Sequence, residues 1–141
     1  MQNQCDNIIE ELPLFQSKVK KLSESLLANL AMISEIPAPT FREQERVNFM
    51  INRFTEGGLQ NTSTDEVGNA LGILPGEDKE RNILVVAHLD TIFDKRVDHT
   101  VTVHPDRVIG PGVGDNALGL AVIATLPVIL EELNISLRSN L

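Results

Sequence analysis

The chain has 141 residues, a length that suits one domain or a piece of a larger one. Its 42% hydrophobic and 23% charged residues are ordinary for a soluble globular protein. A net charge of -8 argues against a basic nucleic-acid-binding surface, and the absence of Trp and Tyr removes the usual stacking platforms for single strands.

The N-terminal stretch, residues 1–11, is polar and acidic and lacks the basic segment and apolar core of a secretory signal. Cys5 is the lone cysteine, so an intramolecular disulfide is excluded; it reads as a bystander thiol in a reducing compartment. Phe15, Val19, Leu22, Leu26, Leu30 and Ile33 recur at spacings of four and three, which predicts an amphipathic helix over 14–34. Pro37 and Pro39 end it, because proline has no amide to donate and restrains the residue before it. Thr40 and Glu43 fit a capping box that opens a second helix carrying Val47, Met50, Ile51 and Phe54. Gly57-Gly58 supplies a left-handed stop.

From Leu59 the pattern shortens. Thr62 to Val67 and Asn69 to Leu74 predict strands, with turns at Gly68-Asn69 and Pro75-Gly76. Asn82 to Ala87 is a near-continuous apolar run, the pattern of a strand buried on both faces. Thr100 to His104 and Val108-Ile109 flank Pro105-Asp106-Arg107 as a hairpin. A helix over 116–133 follows, bent at Pro127. The longest apolar stretch, Leu118 to Leu130, is too short to cross a bilayer, so a soluble, cytoplasmic chain is expected, with no membrane partner. Helices, then strands, then strand–loop–helix give an α/β fold class with a mixed central sheet flanked by helices.

Ligands of such sheets gather beyond the carboxyl ends of the strands, where His88, Asp90 and Asp115 would sit. His88 and Asp90 lie two apart and share one side of an extended strand. Asp90 can then accept a hydrogen bond from one imidazole nitrogen while the other binds a metal. The bland alternative is a histidine satisfied at a strand end. Asp115 stands in the glycine-rich stretch Gly110 to Gly119, a turn able to pack closely on a metal or ligand. As readily, it is a helix N-cap. A phosphate loop is excluded, since no Gly-Lys-Ser/Thr follows and the aspartate repels anions. His99 and His104, in or beside the hairpin, read as exposed surface.

Four stretches, in order, resemble the co-catalytic zinc peptidase and aminoacylase family that includes acetylornithine deacetylase, succinyl-diaminopimelate desuccinylase and glutamate carboxypeptidase. They are Ile36-Pro37-Ala38-Pro39-Thr40 with Glu43, Asp65-Glu66-Val67-Gly68-Asn69, His88-Leu89-Asp90-Thr91, and Gly110 to Gly119, spanning about residues 15–133. The resemblance implies a metal-dependent hydrolase of peptide or N-acyl amino-acid amide bonds. It implies two zinc ions in the complete enzyme, with cobalt or manganese left open. His88 would bind one ion, Asp90 would orient His88 as a catalytic residue, and Asp115 would bridge the two. A cis peptide at Asp115-Asn116 is implied as well.

The family also needs an adjacent glutamate pair on a later loop, another acidic ligand and a distant histidine. Glu131-Glu132 lies on the helix after Asp115 and reads as solvated surface. Residues 1–141 are therefore expected to form the N-terminal portion of the catalytic domain, without the lid and dimerisation domain. Such a chain is expected to be inactive and to self-associate, while a homodimer stays open for the full-length protein. A related co-catalytic zinc aminopeptidase, or a non-catalytic remnant with the same fold acting as an interaction protein, are the alternatives.

Overall fold

The computed structural model describes the backbone of residues 2–141 and the side chains of residue 13, residues 16–18, residue 20 and residues 22–141. The Cys5 thiol, and Phe15 and Val19 of the helical stripe, lie outside the described side chains. Helix α1 runs over Gln2–Glu35 with Pro13 inside it, so it begins well before the predicted start. It stops where Pro37 and Pro39 require. Helix α2 spans Gln44–Glu56 and buries Arg46, Val47, Met50 and Phe54. Gly58, at φ 74, turns the chain out of it.

Strands β1 (Gln60–Thr64) and β2 (Ala70–Ile73) pair antiparallel across a turn that the Asp65 carboxylate organises. That carboxylate accepts the amides of Val67 and Asn69 and the side-chain amide of Asn69, at 3.1, 2.8 and 2.8 Å. Gly68, at φ 92, supplies the one conformation here that a side chain would resist. Strand β3 is Asp78–Asn82, and β4 (Thr102–Val103) pairs antiparallel with β5 (Val108–Ile109) as the predicted hairpin. A kinked turn over Val113–Ala117, in which Asp115 and Asn116 are not helical, leads into α3 (Leu118–Glu132), and β6 (Ser139–Asn140) returns parallel to β3. The α/β class holds, with parallel and antiparallel pairing spread over three two-stranded sheets.

The core lies between the helices. Leu30 and Ile33 of α1, Met50 and Phe54 of α2, and Leu120, Ala121 and Ala124 of α3 close on Ala117. Alanines on α3 let α1 approach closely enough for Asn29 to donate to the Thr125 hydroxyl at 3.0 Å inside the contact. Thr125 in turn donates to the Ala121 carbonyl, so the buried polar pair is satisfied.

Three expectations need correction. Ile83 to Ala87 is not a strand buried on both faces: it carries no ladder, and Leu84 and Val86 are 85% and 75% exposed. Its apolar residues need a paired strand and a covering layer, and among the described residues only Ile83 finds a strand partner, its amide donating to Asn140. Thr40 and Glu43 form no capping box, because the threonine hydroxyl is used elsewhere and Glu43 is itself the residue before α2, accepting the Phe41 amide. The stretch Val113–Glu132 is, by length and composition, long enough to cross a membrane, contrary to the shorter estimate, although Asp115 and Asn116 leave helical geometry within it. One face of it carries the buried Leu120, Ala121, Ala124 and Thr125.

Candidate metal centre

The site forms where two chain segments meet past β3. The α1–α2 loop is stitched to the segment after His88 by a parallel bridge between Pro39 and Thr91, with the Thr91 amide donating to Ala38 at 2.8 Å. Beneath it Arg46, 1% exposed, donates through Nη1 to the Leu89 carbonyl and through Nη2 to the Ile36 carbonyl, both at 2.7 Å. One guanidinium fork thus grips the peptide between His88 and Asp90 and the end of α1 together. Burial pulls the Arg46 pKa down, and the nearby Asp90 charge opposes that.

Above this clamp runs a hydrogen-bonded chain. Thr40 donates to Asp90 Oδ2 at 2.8 Å, Asp90 Oδ1 lies 3.2 Å from His88 Nδ1, and His88 Nε2 lies 2.9 Å from Asp115 Oδ1. The Asp90 carbonyl is also within 3.1 Å of Nδ1. Gly112, at φ 70, turns the glycine-rich loop so that Asp115 meets His88, and both line a cavity of about 420 Å³. Thr91, Ile92 and Phe93 complete one wall.

The Thr40 hydroxyl, more than His88, holds the Asp90 carboxyl below its ordinary range. Desolvation works against the imidazolium of His88, but its hydrogen bonds to Asp115 and Asp90 outweigh it and raise the pKa. Asp115 is 90% exposed and makes no capping bond to the following helix. All three residues singled out in the sequence are brought together. The Asp115-Asn116 peptide is cis, as the resemblance implies.

Glu131 and Glu132 are exposed on α3, and His104 is exposed. His99 is instead buried, with Nε2 at 3.1 Å from the Asp94 carbonyl, which corrects the surface reading. Sequence reasoning missed Arg46 and the use of Thr40. The signal for Arg46 was its position four residues before Met50 and eight before Phe54, on the buried stripe.

Residues 69–139, half of the chain, match the sequence profile of peptidase family M28. The chain belongs to peptidase family M28. The matched stretch contains His88, Asp90 and Asp115, and M28 peptidases are generally metal-dependent, with zinc. Over 70 residues, half of this chain, it is 40% identical to a protein of Thermococcus kodakarensis named as a LysW-lysine/LysW-ornithine hydrolase. The chain spans about one-fifth of that relative's length.

Fit to a metal follows from the donors of this M28 chain. An imidazole nitrogen and a carboxylate oxygen 2.9 Å apart are the pair that zinc accepts, and the second imidazole nitrogen is already engaged by Asp90. Among the described residues no group of three His, Cys, Asp or Glu side chains is arranged to hold a metal ion. The residues present fit part of a zinc site.

Proposed function

We propose that this chain carries the His88–Asp115 part of a metal-dependent active site that hydrolyses peptide or N-acyl amino-acid amide bonds. The observation behind the reading is the 2.9 Å approach of His88 Nε2 to Asp115 Oδ1, backed by Asp90. His88 and Asp115 would hold the metal. Bound zinc would polarise the scissile carbonyl and acidify a water nucleophile. With a metal in place, Asp90, fixed by Thr40, would accept the Nδ1 proton of His88 and leave Nε2 to ligate beside Asp115. Conjugates of lysine or ornithine, named for the Thermococcus relative, are the substrates to screen first.

Zinc sites need at least three protein ligands, so the 141-residue chain alone is expected to bind metal weakly and to be inactive. Cobalt titration followed by visible absorption tests the first point. A weak site abolished by both His88→Ala and Asp115→Ala is expected. Binding that neither substitution changes would refute the assignment, and hydrolysis by the isolated chain that Asp115→Ala abolishes would refute the inactivity.

A further inference from the structure

Two apolar side chains stand in solvent where the site opens. Phe41 is 94% exposed and Ile92 91%, the highest values among the large hydrophobic residues described. They flank the Pro39–Thr91 bridge, Ile92 one residue past it and Phe41 two residues past it on the facing segment. Ile92 and Phe93 line the same cavity as His88 and Asp115, and Phe41 follows Thr40, whose hydroxyl holds Asp90. No lysine or arginine is among the described residues lining that cavity.

Phe41 also has an unfavourable backbone. The Arg42 amide donates to the Pro39 carbonyl at 2.8 Å and closes a four-residue turn, whose third residue, Phe41, has φ 69. That position favours glycine or asparagine, and a bulky side chain resists it. The surroundings impose it nonetheless. The Thr40 hydroxyl is tied to Asp90, and the Phe41 amide donates to the Glu43 carboxylate at 2.6 Å. A ring that strains its own backbone and buries almost none of its surface contributes little to folding. Strain of this kind gathers at positions that clamp ligands.

We propose that Phe41 and Ile92 form an apolar clamp at the mouth of the site, gripping an aliphatic chain of the substrate. The clamp rests on the hydrolytic reading of His88 and Asp115 and adds the class of substituent held beside the amide. Two features favour an aliphatic group over an anionic one. The wall is built from Ile92, Phe93 and Val113, and the carboxylates in the cavity, Asp90 and Asp115, repel an anion. The wall is also rigid enough to discriminate, because the bridge and the Phe93 amide, which donates to the Thr91 hydroxyl at 3.3 Å, fix Ile92 from both sides.

The test titrates N-acetylglycinamide and N-hexanoylglycinamide into the parent, Phe41→Gly and Ile92→Ser, and follows amide shifts by NMR. The hexanoyl compound is expected to bind the parent about tenfold more tightly, as half-burial of four extra methylenes implies, with shifts at Ile92 and Phe93. Both variants should lose that preference, and Phe41→Gly should melt no lower than the parent, since glycine accepts the turn. A preference that survives both substitutions overturns the proposal, as does the absence of shifts at Ile92 and Phe93 at tens of millimolar ligand. Shifts confined to Leu84–Ala87 also overturn it, by placing the chain on the exposed apolar segment. A Phe41→Gly variant melting ~5 °C or more below the parent would make the ring part of the fold and overturn its role as a clamp. Cobalt titration of the same three proteins keeps the two readings apart. Equal cobalt binding is expected, and its loss in one variant alone overturns the proposal, because that residue would then support the metal site itself. Cobalt bound by none of the three would sink the metal reading, while the chain-length preference would still decide the clamp.

Discussion

Arg46→Met removes the charge under the site while keeping an apolar stem of similar reach. In the folded chain the guanidinium makes two 2.7 Å bonds to carbonyls, those of Leu89 and Ile36. A hydrogen bond to a charged group contributes ~1.5–3 kcal/mol, so the pair contributes roughly 3–6 kcal/mol. Against this stands the cost of burying the group, visible in its lowered pKa and in an Nε that has no partner. The balance is a loss of about 2–4 kcal/mol, because methionine leaves both carbonyls unpaired. Thermal unfolding should register this as a fall in Tm of roughly 3–5 °C per kcal/mol for a chain of this length. Arg46→Lys should recover at most half, since an ammonium cannot span both carbonyls as the planar fork does. Amide resonances of His88, Leu89 and Asp90 should broaden in the methionine variant, where the strap between α1 and the site is cut. A methionine variant as stable as the parent, or more so, would refute the reasoning and mark Arg46 as a net electrostatic burden.

Thr40→Val should raise the Asp90 carboxyl pKa toward 3.8, its unperturbed value, because the threonine hydroxyl is the main group depressing it. Thr40→Ser should restore it, and carboxyl ¹³C titration reads both; an unchanged titration in Thr40→Val would count against the Thr40–Asp90 contact. Asp65 is likewise held below 3.8, chiefly by the Asn69 side chain. A depressed folded pKa means its contribution is present above 3.8 and is lost as pH falls through the folded value. Asp65→Ala should therefore be less stable than the parent at neutral pH, and the two urea-unfolding curves should converge in acid. A gap that persists below pH 2 would show that Asp65 acts through something other than its charge.

Local patterns were legible in the sequence wherever local chemistry decides the outcome. The Gly68 turn, the Pro37–Pro39 break and the hairpin around Pro105-Asp106-Arg107 each rest on backbone restrictions carried by the residues themselves. Asp115 facing His88 is a different case: 27 residues separate them, and spacing alone favoured a helix cap slightly over a ligand. The resemblance, rather than periodicity, joined them. Thr40 was misassigned because a threonine three residues before a glutamate satisfies the capping rule, while its real partner, Asp90, is 50 residues away. Arg46 was hidden by its charge, since a pattern search treats arginine as surface and has no means of seeing two carbonyls converging on it. Ile83–Ala87 failed in the opposite direction. Its residues have the composition of a central strand, but burial is a property of neighbours, and the groove beside it is unfilled.

That exposed segment has a consequence separable from the site. Ile83-Leu84-Val85-Val86-Ala87 is uncharged, rich in β-branched residues and free of proline, the composition that drives edge-to-edge aggregation. Leu84 and Val86 stand 85% and 75% exposed, so they give little packing energy to the folded chain. Replacing both by lysine should change stability by no more than ~0.5 kcal/mol each. It also places like charges on any edge that two copies would share. Sedimentation velocity at tens of micromolar should show the parent self-associating and the Leu84→Lys/Val86→Lys variant as a monomer. The site should be unaffected, because His88, Asp90 and Asp115 are held by Thr40, Arg46 and the Gly112 turn rather than by the sheet edge. Matching His88 ring resonances in the two proteins would confirm that separation. A parent that sediments as a sharp monomer would refute association through this edge, and a double-lysine variant that still associates would move the contact surface elsewhere.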